Sequence, residues 1–265
     1  GLIWSVISLM LYLNFSVVEP YADRPMWFVL TTTSLEEIGL LISAWLCWRN
    51  WRSEYLAGGR AIWLLFAIAM LSFFVGNLWF MLWELLWKLD PAASAGNPFF
   101  VLFNLILIAG MRLAILDRDV RLTRQQWVVV MGVAAIGLTI GCWLTTLSAK
   151  ATIAKPMTSI VSAQQPARRI TTLSPDAPIF PTIAARSTVI TSARPPEWVL
   201  EIDRSMQPLV NTLNVFYVLC DLILLTFAVI LFLGFWGGRW GLPWRMTAQA
   251  VLCFYIANTW FAYAN

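Results

Sequence analysis

Three carboxylates stand in stretches otherwise dominated by apolar residues: Glu36 and Glu37 in "TTTSLEEIGLLISA", and Asp221 in "NVFYVLCDLILLTFA". An acid in such a setting could take up a proton, an ion or a polar ligand, because an unpaired charge in lipid is costly. Asn77, Asn104 and Asn258 interrupt three further apolar stretches, and each amide brings both donors and acceptors. Trp79, Phe100, Tyr217 and Trp260 are their aromatic neighbours. The set has two possible uses. Its members can hydrogen-bond between helices and fix their packing. Alternatively, Glu36, Glu37 and Asp221 line an outward-facing cavity for a ligand, ion or proton.

Other chemistry is excluded by what the chain lacks. It contains no histidine, so a Ser-His-Asp triad, an HExxH zinc site and histidine ligation of haem have no residues to use. Cys47, Cys142, Cys220 and Cys253 lie far apart, each inside a hydrophobic run, and read as small apolar residues. Lys88, Lys150 and Lys155 all fall outside the middle of the hydrophobic segments, which leaves no Schiff-base lysine there. The expectation is no enzyme, no metal site and no required cofactor. Tryptophan-rich stretches such as "WFMLWELLWKLD", residues 79–90, read as an interfacial belt that could also contact lipid, quinone or pigment. No basic groove with interleaved aromatics points to nucleic acid.

The elements that position these residues are legible from hydropathy. With 60% hydrophobic and 12% charged residues, the 265-residue chain has the composition of a polytopic membrane protein. Seven segments are long enough to span, near 1–18, 26–48, 61–86, 98–116, 127–147, 208–235 and 246–265. Backbone groups in lipid must be satisfied internally, so each is expected to be a helix, giving an all-α bundle. Asn97-Pro98 reads as a helix start, with Asn as the cap and Pro at the first helical position. Arg49, Arg52 and Arg60 follow the second segment, Arg118, Arg121 and Arg124 the fourth, and Arg239 and Arg245 the sixth. Only Arg24 and Lys88 fall in the short connections on the other side. Basic loops face the cytoplasm, so the N-terminus is expected inside and Asn265 outside, in a bacterial inner or photosynthetic membrane. Residues 148–207 are rich in Ser, Thr, Ala, Pro and Arg and are expected outside, leaning on partner membrane subunits. Within them, Trp198, Ile202 and Met206 recur every fourth residue, which predicts a short helix on the membrane surface.

The sequence also repeats. "NPFFVLFNLILI", residues 97–108, matches "NVFYVLCDLILL", residues 214–225, at seven of twelve positions. "FVGNLWF" (74–80) aligns with "YIANTWF" (255–261), and "EIGLLISA" (37–44) more weakly with "DLILLTFA" (221–228). A duplicated four-helix unit would explain these matches, with its eighth helix beyond a chain that starts and stops inside hydrophobic runs. The corresponding divisions are 1–147, 148–207 and 208–265. Asn104 and Asp221 would lie about 10 Å below the outer ends of their helices. Glu36, Glu37, Asn77 and Asn258 would complete one polar layer drawn from five helices.

Gly76-Asn77, then Pro91 with Ser94 and Asn97, then "YVLCDL" (217–222), then Ala257-Asn258 before an aromatic pair, form a series. Over roughly residues 60–265 it resembles the multi-helix membrane input region that precedes diguanylate cyclase, PAS or histidine-kinase domains in bacteria. That family usually has Asp where this chain has Asn77, Asn97 and Asn258, and Asp221 keeps its acid. The resemblance implies a non-catalytic input module acting through contacts within and outside the membrane. Two alternatives remain: an accessory subunit of a photosynthetic or respiratory membrane complex, and a transporter coupling through Glu36, Glu37 and Asp221.

Overall fold

A computed structural model describes residue 10 and residues 26–53, 59–87, 89, 91–117, 120–163, 195–235 and 242–264. Helices dominate these residues and they contain no strand. In chain order the α-helices are α1 (Met26–Arg52), α2 (Arg60–Met81), α3 (Asn97–Asp117), α4 (Arg124–Ala163), α5 (Glu197–Met206), α6 (Val210–Gly234) and α7 (Leu242–Ala264). A π-helical turn, Leu82–Leu86, prolongs α2, and short 3-10 turns cover Pro91–Ala93 and Gln207–Leu209. Five stretches among the described residues are long and apolar enough to cross a membrane: Trp27–Arg52, Arg60–Leu86, Asn97–Asp117, Arg124–Trp143 and Glu197–Gly234. The segment expected at 1–18 lies outside the described residues apart from Met10. The segment expected at 246–265 is covered by α7.

Local sequence explains several boundaries. Gly59, at φ 80°, adopts the left-handed conformation that turns the chain into α2. A reciprocal cap starts α4: Gln126 N–H donates to Thr123 Oγ1 at 3.3 Å, while Thr123 N–H donates to Gln126 Oε1 at 2.8 Å. Gln126 Nε2 also donates to the Leu233 carbonyl at 3.3 Å, tying the start of α4 to the end of α6. The start of α3 differs from expectation by one residue. Phe99 and Phe100 N–H both donate to the Gly96 carbonyl, so Gly96 is the flanking residue and Asn97 already lies inside the helix. The Asn97 side chain turns outward from its helix, with Nδ2 donating to the Ala92 carbonyl at 2.8 Å.

The core lies between four helices. Ile62, Phe66 and Ala69 of α2 meet Phe103, Leu107, Met111 and Ala114 of α3. Leu224, Ala228 and Leu231 of α6 and Trp244, Ala248 and Val251 of α7 complete it. Each set recurs at three- or four-residue steps, the spacing of one helix face. The sequence-similar copies in α3 and α6 therefore pack against each other. Helix α1 flanks α2, and α4 flanks α6 and α7. Glycines permit the closest approaches. A Cβ at Gly76 would lie 2.7 Å from Phe100 Cε1, and one at Gly96 would lie 2.7 Å from the Gly76 carbonyl oxygen.

The boundary expected at residue 147 is absent. Helix α4 runs on to Ala163, so the polar segment begins as a continuation of a membrane helix. Residues 164–194 lie outside the described residues. The expected surface helix is α5, but its fully buried side chain is Val199 rather than the Trp198, Ile202 and Met206 series.

Candidate functional site: two acid–amide pairs

Four of the polar residues form two pairs. Asn77 Nδ2 of α2 donates to Glu36 Oε1 of α1 at 3.1 Å. Asn258 Nδ2 of α7 donates to both carboxylate oxygens of Asp221 on α6, at 3.2 Å to Oδ2 and 3.4 Å to Oδ1. Among the described residues, no hydrogen bond joins one pair to the other.

The two pairs occupy matching positions. Glu36 is ten residues into α1 and Asp221 eleven residues into α6. Their asparagines lie seventeen and sixteen residues into α2 and α7. At ~1.5 Å per residue, both carboxylates lie about 15 Å from their helix starts, half the depth of a bilayer core of ~30 Å. Their surroundings differ. Asp221 is half-buried on a central helix, whereas Glu36 is exposed on a flanking one.

Glu37 belongs to neither pair. It is 8% exposed; the Asn77 side chain also lies close to it, but neither carboxylate oxygen has a hydrogen bond of good geometry. Asn104 remains on its own helix: Nδ2 donates to the Phe100 carbonyl at 3.0 Å, while its buried Oδ1 has no partner. The Phe100 ring packs against Phe73 and Phe80 over Gly76 rather than beside an acid. Tyr217 joins the two similar helices, its hydroxyl lying 3.2 Å from Asn97 Oδ1 and 3.3 Å from the Asn97 carbonyl. One hydroxyl hydrogen serves whichever acceptor it faces. Tyr217→Phe should therefore lower stability by about 0.5–1.5 kcal/mol in reversible unfolding from mixed micelles. An unchanged stability would remove Tyr217 as a link between α3 and α6. The Trp260 side chain lies outside the described ones.

Trp79 belongs to a different assembly. Trp79, Trp83 and Trp87 line one face at four-residue steps and Trp198 of α5 closes the group. Ring centroids lie 6.4 Å apart for Trp79–Trp83, 5.1 Å for Trp83–Trp87, 5.6 Å for Trp87–Trp198 and 6.4 Å for Trp79–Trp198. Trp83 is fully buried, and its indole N–H has no acceptor. The face of three tryptophans was visible in the sequence as a belt. Its closure by Trp198 was not, because the two segments are more than a hundred residues apart.

Two further polar contacts carried no sequence signal. Ser72 Oγ donates to the Phe99 carbonyl at 2.8 Å, and Tyr255 Oη to the Gly137 carbonyl at 3.3 Å. Both link neighbouring helices through a backbone acceptor, which any residue could supply. Among the described residues, no group of three or more His, Cys, Asp or Glu could hold a metal ion. No protein-family model, curated protein or solved structure matches the chain.

Proposed function

We propose that this chain is a non-catalytic, multi-pass membrane module that works through contacts between its helices and outside the membrane, of the kind that supplies sensory input. The observation that carries this reading is the pair of acid–amide contacts. Each uses its polar groups to hold one descending helix to the next ascending one, at the same depth. Side chains used in this way set helix register, and a change of register can be passed along the bundle. The matching positions also support a duplicated four-helix unit as the origin of the chain. Arg49 and Arg52 at the end of α1 lie over Trp45 and Trp48, at 5.6 and 5.3 Å from the ring centroids. Basic residues anchored on interfacial tryptophans suit the cytoplasmic side of a bacterial inner or photosynthetic membrane.

Isolation from native membranes in mild detergent, followed by native mass measurement, tests the proposal. The expected particle contains the chain with a domain or protein that reads it out. A fixed assembly with cofactor-bearing subunits would make it a structural subunit instead. A lone monomer whose residues 148–207 are open to protease would overturn both.

A further inference from the structure

The second acid–amide pair serves as a control for the first. At Asp221, one amide spans both carboxylate oxygens, so one acid and one asparagine suffice to join two helices. Helix α1 carries one acid more than that. Glu36 accepts from Asn77, while Glu37, the next residue, is nine-tenths buried with both oxygens unpartnered. Among the described residues, no cation answers it. The helix packed on α1 is α2, whose only ionisable side chain is Arg60. Arg60 lies seventeen residues below Asn77, about 25 Å along the axis. On α1 itself, Arg49 and Arg52 occupy the last turn, turned onto Trp45 and Trp48. An unpaired carboxylate at this depth is costly unless something else compensates it.

We propose that Glu36, Glu37 and Asn77 hold a small alkali cation. The candidate ligands are the two unpartnered oxygens of Glu37 together with Glu36 Oε2 and Asn77 Oδ1, the end of the amide opposite the Nδ2 that faces Glu36. Hard cations favour such an all-oxygen set. Magnesium demands near-ideal octahedral angles and dehydrates reluctantly, which a set of flexible side-chain oxygens does not match. Among the described residues no third His, Cys, Asp or Glu joins the two acids, whereas calcium loops bring several carboxylates together.

The test is thermal unfolding of the full chain in lipid nanodiscs, in sodium, potassium or lithium chloride against N-methylglucamine chloride at equal ionic strength and pH. A saturable rise in Tm of about 3 °C with at least one alkali cation is expected. Glu37→Gln should abolish that rise, whereas Asp221→Asn should keep it even from a lower starting Tm. If Glu37→Gln fails to fold, Glu36→Gln replaces it; its exposed side chain makes it the milder change, and it should raise the half-saturating concentration about tenfold. The proposal fails if Tm is the same in alkali and N-methylglucamine salts. It also fails if the rise survives unaltered in whichever of Glu37→Gln and Glu36→Gln folds. A Tm that follows pH but ignores the alkali cation would make Glu37 a proton site and overturn the proposal.

Discussion

Asn258→Leu should lower the stability of the folded chain by about 2–4 kcal/mol. Asn258 supplies the hydrogen bonds recorded for both Asp221 oxygens. Leucine has nearly the same volume but no donor, so the carboxylate would stay between α6 and α7 without a partner. Leaving a half-buried acid between two helices unsatisfied costs more than the net value of the bond, because its desolvation is no longer offset. The usual figure for a hydrogen bond between membrane helices, ~0.6 kcal/mol, is therefore too small a guide here. Asn77→Leu should cost less, under about 1.5 kcal/mol, because one hydrogen bond to Glu36 is lost there against two contacts to Asp221 here. Reversible unfolding by SDS in mixed micelles, followed by far-UV circular dichroism, compares the two variants. Equal losses at the two sites would contradict the difference in contacts.

Gly96→Ala should be the most damaging small substitution, with a loss of about 3 kcal/mol. Its new Cβ would lie 2.7 Å from the Gly76 carbonyl oxygen, with Ser94 Oγ at 3.2 Å and Phe100 Cε2 at 3.3 Å. The first of these is backbone and cannot swing aside, so α2 and the start of α3 must separate. Gly76→Ala meets the Phe100 ring instead, at 2.7 Å from Cε1 and 2.9 Å from Cδ1. A ring can rotate, but this one is in contact with Phe73 and Phe80 at centroid distances of 5.4 and 6.4 Å. The loss at Gly76 should accordingly be present but smaller. Gly132→Ala is the control. Nothing lies within 4 Å of its Cβ, and alanine favours a helix over glycine by about 1 kcal/mol. It should leave stability unchanged or raise it in the same assay.

Helices α1, α2, α3 and α6 were legible because long apolar runs have one structural solution in lipid. Their ends fall within a few residues of the hydropathy limits. The end of α4 was not legible. The composition changes at residue 148 to one rich in Ser, Thr, Ala, Pro and Arg, yet the helix continues to Ala163. Composition reports what a segment can dissolve in, and an amphipathic or exposed helix can carry those residues as well as a loop can.

The polar site was half legible for a related reason. Position along a helix follows from counting residues, so the common depth of Glu36, Asp221, Asn77 and Asn258 could be read directly. Which way each side chain faces depends on how the helices rotate against one another, and the sequence does not state that. Alignment with "DLILLTFA" set Glu37 opposite Asp221, but the structure gives the asparagine to Glu36 and leaves Glu37 buried alone. Asn104 stood at the right depth and turned back onto Phe100. The Gly76–Gly96 approach had no signal at all, since nothing in a list of fourteen glycines says which two will meet.

Most directly, the role of the acid–amide pairs is tested by a double-mutant cycle on Asp221→Leu, Asn258→Leu and the two together. Apolar side chains at both positions leave nothing unsatisfied, so the double variant should regain most of what Asn258→Leu loses. The coupling energy should be about 1 kcal/mol or more. Losses that simply add, with a double variant less stable than either single one, would mean that Asp221 and Asn258 do not hold α6 to α7 through each other.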